Sequence, residues 1–159
     1  MMEQSSQDLD ELDRAILNEL QVNARISNAE LARRINLSQP AVFNRIRRLE
    51  ARGLIRQYVA LLDREKVGYD LLCFIHIRLQ LHQPDQSATF RTAVQGLPQI
   101  LECHHVTGDY DYLLKAVARN RQDLEELVVH QLTLIPGIAH IQTSLVFTEV
   151  KATTVLPLS

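Results

Sequence analysis

Seven arginines, Arg33, Arg34, Arg45, Arg47, Arg48, Arg52 and Arg56, stand against the single acid Glu50 between residues 31 and 58, a local charge of +6. A guanidinium is a rigid fork of donors that fits phosphate oxygens, so this block is a candidate polyanion site. Residues 1–30 carry seven acids against Arg14 and Arg25, a charge of −5, and the whole chain carries −2. The cationic field is therefore local, and it is the local field that steers a charged ligand. Among the arginines lie Ser38, Gln39, Ala41 and Asn44. Short side chains let a helix backbone approach base edges in a major groove, where Asn or Arg can make two hydrogen bonds to adenine or guanine. The expectation is that Ser38, Gln39, Ala41, Asn44 and Arg45 face bases while Arg34, Arg47, Arg48 and Arg52 contact phosphates of double-stranded DNA. The competing reading, a solvated helical face, explains the charge but not the caps and the turn around it.

Other chemistries are weaker. His76, His82, His104, His105, His130 and His140, with Cys103 beside two of them, invite a metal site. Neighbours on a strand point to opposite faces, so Cys103 and His105 could share an ion but His104 could not join them. No metal and no cofactor is expected. The chain has no GxSxG, P-loop, HExxH or glycine-rich dinucleotide motif and no paired acids on one element. Were it an enzyme, a small ferredoxin-like hydrolase with His104 or His105 as base would be the form. Cys73 and Cys103 form no CxxC pair, so no disulfide framework is expected.

The arginines need a scaffold to aim them. Leu9, Leu12, Ile16, Leu17 and Leu20 recur at helical spacing, and Asp10 can cap a helix running to about Val22. Ser27 and Glu30 form a capping box opening a second helix through Leu31 and Ile35. Asn36-Leu37-Ser38 then breaks the chain, Ser38 caps a third helix that tolerates Pro40 in its first turn, and Gly53 ends it. Two helices across a tight turn, the second lined with arginines, are organised as a helix-turn-helix.

After Gly53 the period changes. Residues 55–61 read as an extended segment, followed by the charged connector Asp63-Arg64-Glu65-Lys66. Cys73, Ile75, Ile77, Leu79 and Leu81 share one face of a strand over 71–81, and Phe90, Val94 and Leu97 mark a helix from about Ser87. Strands over 100–107 and 110–118 flank Gly108-Asp109 as a two-residue hairpin, a helix runs from about Arg121 to Pro136, and a last strand covers 138–150. The fold class is α+β: a helix-turn-helix, winged-helix-like domain over 1–58, a hinge over 59–68, and a ferredoxin-like βαββαβ domain over 69–159. Both helices cover one sheet face, so the other needs a partner, and a second copy is the simplest.

The length of 159 residues, with 46% apolar and 23% charged residues, suits one or two small globular units. No apolar run reaches the eighteen residues of a membrane span, and the polar start Met1-Met2-Glu3-Gln4-Ser5-Ser6 lacks a signal peptide's apolar stretch. A cytoplasmic location without membrane association is expected.

The chain resembles the leucine-responsive regulatory protein/AsnC family, the feast/famine regulators, over nearly its whole length. The resemblance rests on Leu9-Asp10-x-x-Asp13-x-x-Ile16-Leu17, Asn23-Ala24-Arg25-Ile26-Ser27, Glu30-Leu31-Ala32, Leu37-Ser38-x-x-Ala41-Val42-x-x-Arg45-Ile46-x-x-Leu49-Glu50-x-x-Gly53-x-Ile55 and Gly108-Asp109-Tyr110-Asp111-Tyr112. One departure is Asn44, where many members look more basic. The resemblance implies a bacterial or archaeal, nucleoid-associated transcription regulator whose dimers assemble further, commonly to octamers. It places a small effector, often an amino acid, near the strand hairpin at a contact between dimers, at Val106, Thr107, Gly108, Asp109, Tyr110 and Asp111. A zwitterion needs a carboxylate for its ammonium group and donors for its own carboxylate, which Asp109 or Asp111 and hairpin amides can supply. Asp109 can equally serve the turn alone. An architectural DNA-wrapping protein without an effector is the alternative.

Overall fold

In the computed structural model, which describes residues 9–80 and 84–158, the chain divides into two units. One holds the chain up to Ala60 together with the stretch from Lys151 on; the other holds Leu61–Val150. The expected second domain ran to residue 159, whereas the last stretch groups here with the first unit. Gln21 explains this: its carboxamide accepts from the Leu156 amide at 2.6 Å and donates to the Leu156 carbonyl at 3.0 Å. Leu158 packs against the first core.

The first unit is three helices, α1 (Glu11–Val22), α2 (Asn28–Arg34) and α3 (Gln39–Ala51). Asp10, Ser27 and Ser38 cap them, each side chain accepting from the amide three residues on. The expected return of Glu30 to the Ser27 amide is replaced by ion pairs, since Arg33 and Arg34 hold the Glu30 carboxylate. Ile16, Leu17, Leu31, Ala32, Val42 and Leu49 form the core. Each fully buried large aliphatic side chain is worth about 1.5–3 kcal/mol. Residues 55–61 pair with no strand among the described residues. Leu54 and Ile55 pack on the helices, and Tyr58 donates to Glu50 at 3.0 Å.

The second unit has four strands, β1 (Leu71–Leu79), β2 (Ile100–His105), β3 (Tyr112–Ala118) and β4 (Ile138–Leu145), in the antiparallel order β2-β3-β1-β4. Along the chain the strands and helices follow the βαββαβ order expected. The expected strand to residue 81 stops at Leu79; Leu81 and His82 lie outside the described residues. Cys73, Ile75, Ile77, Tyr112, Leu114 and Ala116 point inward onto Phe90 and Val94 of α4 (Pro84–Gln95) and onto Leu127 and Leu132.

The last helical stretch departs from the single helix expected. It begins as α5 (Arg121–Glu125), widens to a π-helix over Glu126–Gln131 and tightens to a 3-10 turn over Leu132–Leu134. Leu127 and Leu132 are both fully buried at a spacing of five, which a wider π turn brings toward one face and an α-helix would separate. Among the described residues no helix is long and apolar enough to cross a membrane.

Candidate functional site

The turn before α3 fixes where that helix points. Asn36 adopts φ 55°, and the Leu37 amide reaches back to the Ala32 carbonyl at 2.9 Å, closing α2 with an asparagine in the left-handed conformation. Val42 and Leu49 of α3 face the core, which leaves Pro40, Asn44 and Arg47 on the far side at helical spacing. Ser38, Gln39 and Asn44 are exposed and Ala41 is half-buried. Among the described residues the carboxamides of Gln39 and Asn44 make no hydrogen bond, whereas the Ser38 hydroxyl is engaged as the helix cap.

The arginines split into two groups. Arg45 does not reach outward as expected of a base reader: its Nη1 donates to Asp10 at 2.6 Å and to Asp13 at 2.7 Å. Arg48, expected on a phosphate, donates to both oxygens of Asp13 at 2.9 and 3.1 Å. The cause is Asp13, only 1% exposed, whose carboxylate must be paired to be buried at all. The hydrogen bond from Arg45, with help from the Asp13 amide, holds the Asp10 carboxyl below its ordinary range; Asp10 in turn, followed by Asp13, pushes Arg45 up. Arg34 sits on Glu30 at 2.8 Å and Glu19 at 2.6 Å, which raise its pKa in that order, and Arg33 also holds Glu30. Arg47 is 3.9 Å from Glu50 with most of its side chain in water. Arg52 and Arg56 have no carboxylate partner among the described residues. The exposed surface of α3 thus offers Gln39, Asn44 and Arg47, while Arg45 and Arg48 anchor the helix to α1.

Sequence reasoning assigned no task to Asp13 or Phe43. An acid inside the helical repeat of α1, three residues after Asp10, was the available signal for the first. The second is 51% exposed and, with Asn28, Gln39 and Pro40, lines an open recess of about 650 Å³.

The strand hairpin is wider than expected. β2 ends at His105 and β3 begins at Tyr112, so residues 106–111 form the turn, closed by the Val106 amide on the Asp111 carbonyl at 2.9 Å. Gly108 sits at φ +117°, a conformation that glycine adopts without strain. Thr107, Gly108 and Asp109 are exposed, Val106 half-buried. Tyr110 lies 4.9 Å from the His76 ring and donates its hydroxyl to Gln142. Asp111 turns back to β1: its carboxylate accepts from the Leu79 amide at 2.7 Å, beside the bulge at Arg78 and Leu79. Asp111 therefore has a structural task, and the exposed hairpin carboxylate is that of Asp109.

Among the described residues the histidines share no ion site. Cys103 pairs across from Leu114 and His104 from Leu113, on opposite faces, while His105 stacks on Tyr112 and His104 meets Glu102 at 2.9 Å. The bond from His104, then that from Lys115, lowers the Glu102 pKa. Among the described residues no group of three His, Cys, Asp or Glu side chains could hold a metal ion.

Two family profiles match the chain: a winged helix-turn-helix DNA-binding profile over residues 9–56 and an Lrp/AsnC ligand binding domain over residues 72–156. The leucine-responsive regulatory protein of Escherichia coli K12 is 45% identical over 144 residues, covering 91% of this chain and 88% of that protein. A transcriptional regulator of Neisseria meningitidis, solved as an L-methionine complex, superposes with a TM-score of 0.90 at 37% identity, covering 94% of this chain and 96% of that one. The feast or famine regulatory protein of Mycobacterium tuberculosis, complexed with L-methionine, gives 0.82 at 29% identity, covering 91% and 95%.

Proposed function

The chain belongs to the Lrp/AsnC family of DNA-binding transcription regulators, and from that premise we propose which residues bind DNA and how an effector acts. The observation that supports the assignment is the pair of unengaged carboxamides, Gln39 and Asn44, on a helix clamped to α1 through Asp13. Gln39 and Asn44 face base edges, with the capped backbone at Ser38 and Ala41 close behind. Arg47, Arg52 and Arg56 meet phosphates. Arg45, Arg48 and Arg34 hold the scaffold and act on DNA through it. The second unit binds an amino acid at 106–111, its ammonium on Asp109 and its carboxylate on the hairpin amides, which over 107–110 make no backbone hydrogen bond among the described residues.

The open sheet face bearing Phe74, His76 and Leu113 pairs with a second copy, and such dimers assemble further, to an octamer, in the bacterial or archaeal cytoplasm at the nucleoid. The effector regulates by binding one assembly state better than another. Two experiments test this reading. Asn44→Ala is expected to cost about 1–3 kcal/mol on the operator and to relax one base position; unaltered discrimination would remove Asn44 from the interface. Calorimetry with L-methionine and L-leucine should give a binding isotherm that Asp109→Ala weakens at least tenfold. Equal affinity of the variant would remove Asp109 from the site.

A further inference from the structure

Phe43 lies one helical turn after Gln39 and one before Arg47, half in water, on a helix whose core contacts are made by Val42, Ile46 and Leu49. Burial therefore accounts for only part of an aromatic ring on this side of α3. Phe43 also lines a groove with Leu20, Ile26, Ile46 and Tyr58. It walls the recess it shares with Asn28, Gln39 and Pro40 as well. That recess sits where the first turn of α2 meets the first turn of α3, the end of a helix-turn-helix that approaches the duplex.

The chemistry of the recess is mixed in a specific way. Phe43 and Pro40 offer apolar surface, and Gln39 and Asn28 offer carboxamides that make no hydrogen bond among the described residues. In the major groove an A·T pair presents this combination in complement: an amino donor and a ring-nitrogen acceptor on adenine, and a C5-methyl group on thymine. A G·C pair presents no methyl group.

We propose that Phe43 is a specificity-determining residue that packs on a thymine C5-methyl group while Gln39 hydrogen-bonds the adenine of the same or the adjacent pair. This rests on the assignment of α3 to the major groove and extends it to the base type read at one position. Ring and methyl exclude water from each other, so the contact discriminates without a hydrogen bond. It also gives the recognition helix an apolar reader where Arg45 is committed to Asp10 and Asp13.

The test uses the full chain and an operator duplex in which each thymine in turn is replaced by deoxyuridine, which removes only the methyl group. Wild-type protein is expected to lose about fourfold in affinity at one thymine per half-site, the worth of one buried methyl group. Phe43→Ala should bind the thymine and deoxyuridine duplexes equally at that position and respond like wild type at every other. Phe43→Leu, which keeps the fold if alanine does not, should retain part of the discrimination. A uniform loss on all duplexes with the thymine-to-deoxyuridine ratio unchanged, or a wild type indifferent to every replacement, overturns the proposal and leaves Phe43 as a wall of the groove. Failure of wild type to prefer the operator over scrambled DNA would instead strike the assignment of α3 itself.

Discussion

Asp13 and its two arginines decide how the charge of this protein is spent. A buried carboxylate stripped of its partners costs several kcal/mol, so the double variant Arg45→Ala, Arg48→Ala, which leaves Asp13 buried without them, is expected to destabilise the first unit by about 3 kcal/mol. Denaturant unfolding checks this. The same network separates two neighbours in the chain: Arg45→Ala should lower the melting temperature, whereas Asn44→Ala should leave it unchanged and lose only operator affinity. Asp10 adds a pH dependence. Its folded pKa lies below the unfolded value, so its contribution is present above the ordinary carboxylate range of about 4 and is lost as the pH falls through the lower folded value. Asp10→Asn should therefore flatten the acid limb of a plot of stability against pH, and an acid limb identical to wild type would contradict the pairing. The seven arginines were legible as a cationic block, but not which of them point away. Partners such as Asp10 and Glu19 come from α1 and its cap, and a charge count along the chain does not see across helices.

Elements bounded by side-chain chemistry were the readable ones. Asp10, Ser27 and Ser38 cap the helices they were expected to cap, because a hydroxyl or carboxylate three residues before an unpaired amide acts within one turn of chain. The chain order βαββαβ likewise follows from the alternation of helical and strand periods. Two elements were not readable, for a tertiary reason each. The hairpin widened to six residues because Asp111 is drawn to the end of β1, and the last helix opened into a π turn because Leu127 and Leu132 both had to reach the core. The α2–α3 turn supplies a prediction at this scale. Asn36 holds a left-handed conformation that a β-branched residue pays for, so Asn36→Val should cost about 1–2 kcal/mol and Asn36→Gly little or nothing. Equal stability of the valine variant in urea would contradict the turn as described.

For the whole molecule the question is how an acidic chain holds DNA. Arg33, Arg34, Arg45 and Arg48 are matched by Glu30, Glu19, Asp10 and Asp13, so the local charge of +6 overstates what phosphates meet. With Arg47, Arg52 and Arg56 as the phosphate contacts, the plot of log affinity against log salt should fall with a slope of about −3 per helix-turn-helix unit, against about −6 if all seven arginines took part. The steeper slope would mean that the carboxylates release their arginines on binding. A moderate electrostatic share leaves discrimination to base contacts, as expected of a regulator and not of a protein that wraps DNA indifferently. The central claim is thus sequence-specific binding under amino-acid control, and fluorescence anisotropy tests it most directly, on DNA from upstream of the protein's own gene and on scrambled DNA, with and without L-methionine and L-leucine. The predicted result is affinity for the upstream DNA about a thousandfold or more above that for the scrambled duplex, shifted by at least one of the amino acids. Equal affinity for both duplexes, unmoved by either amino acid, would contradict it.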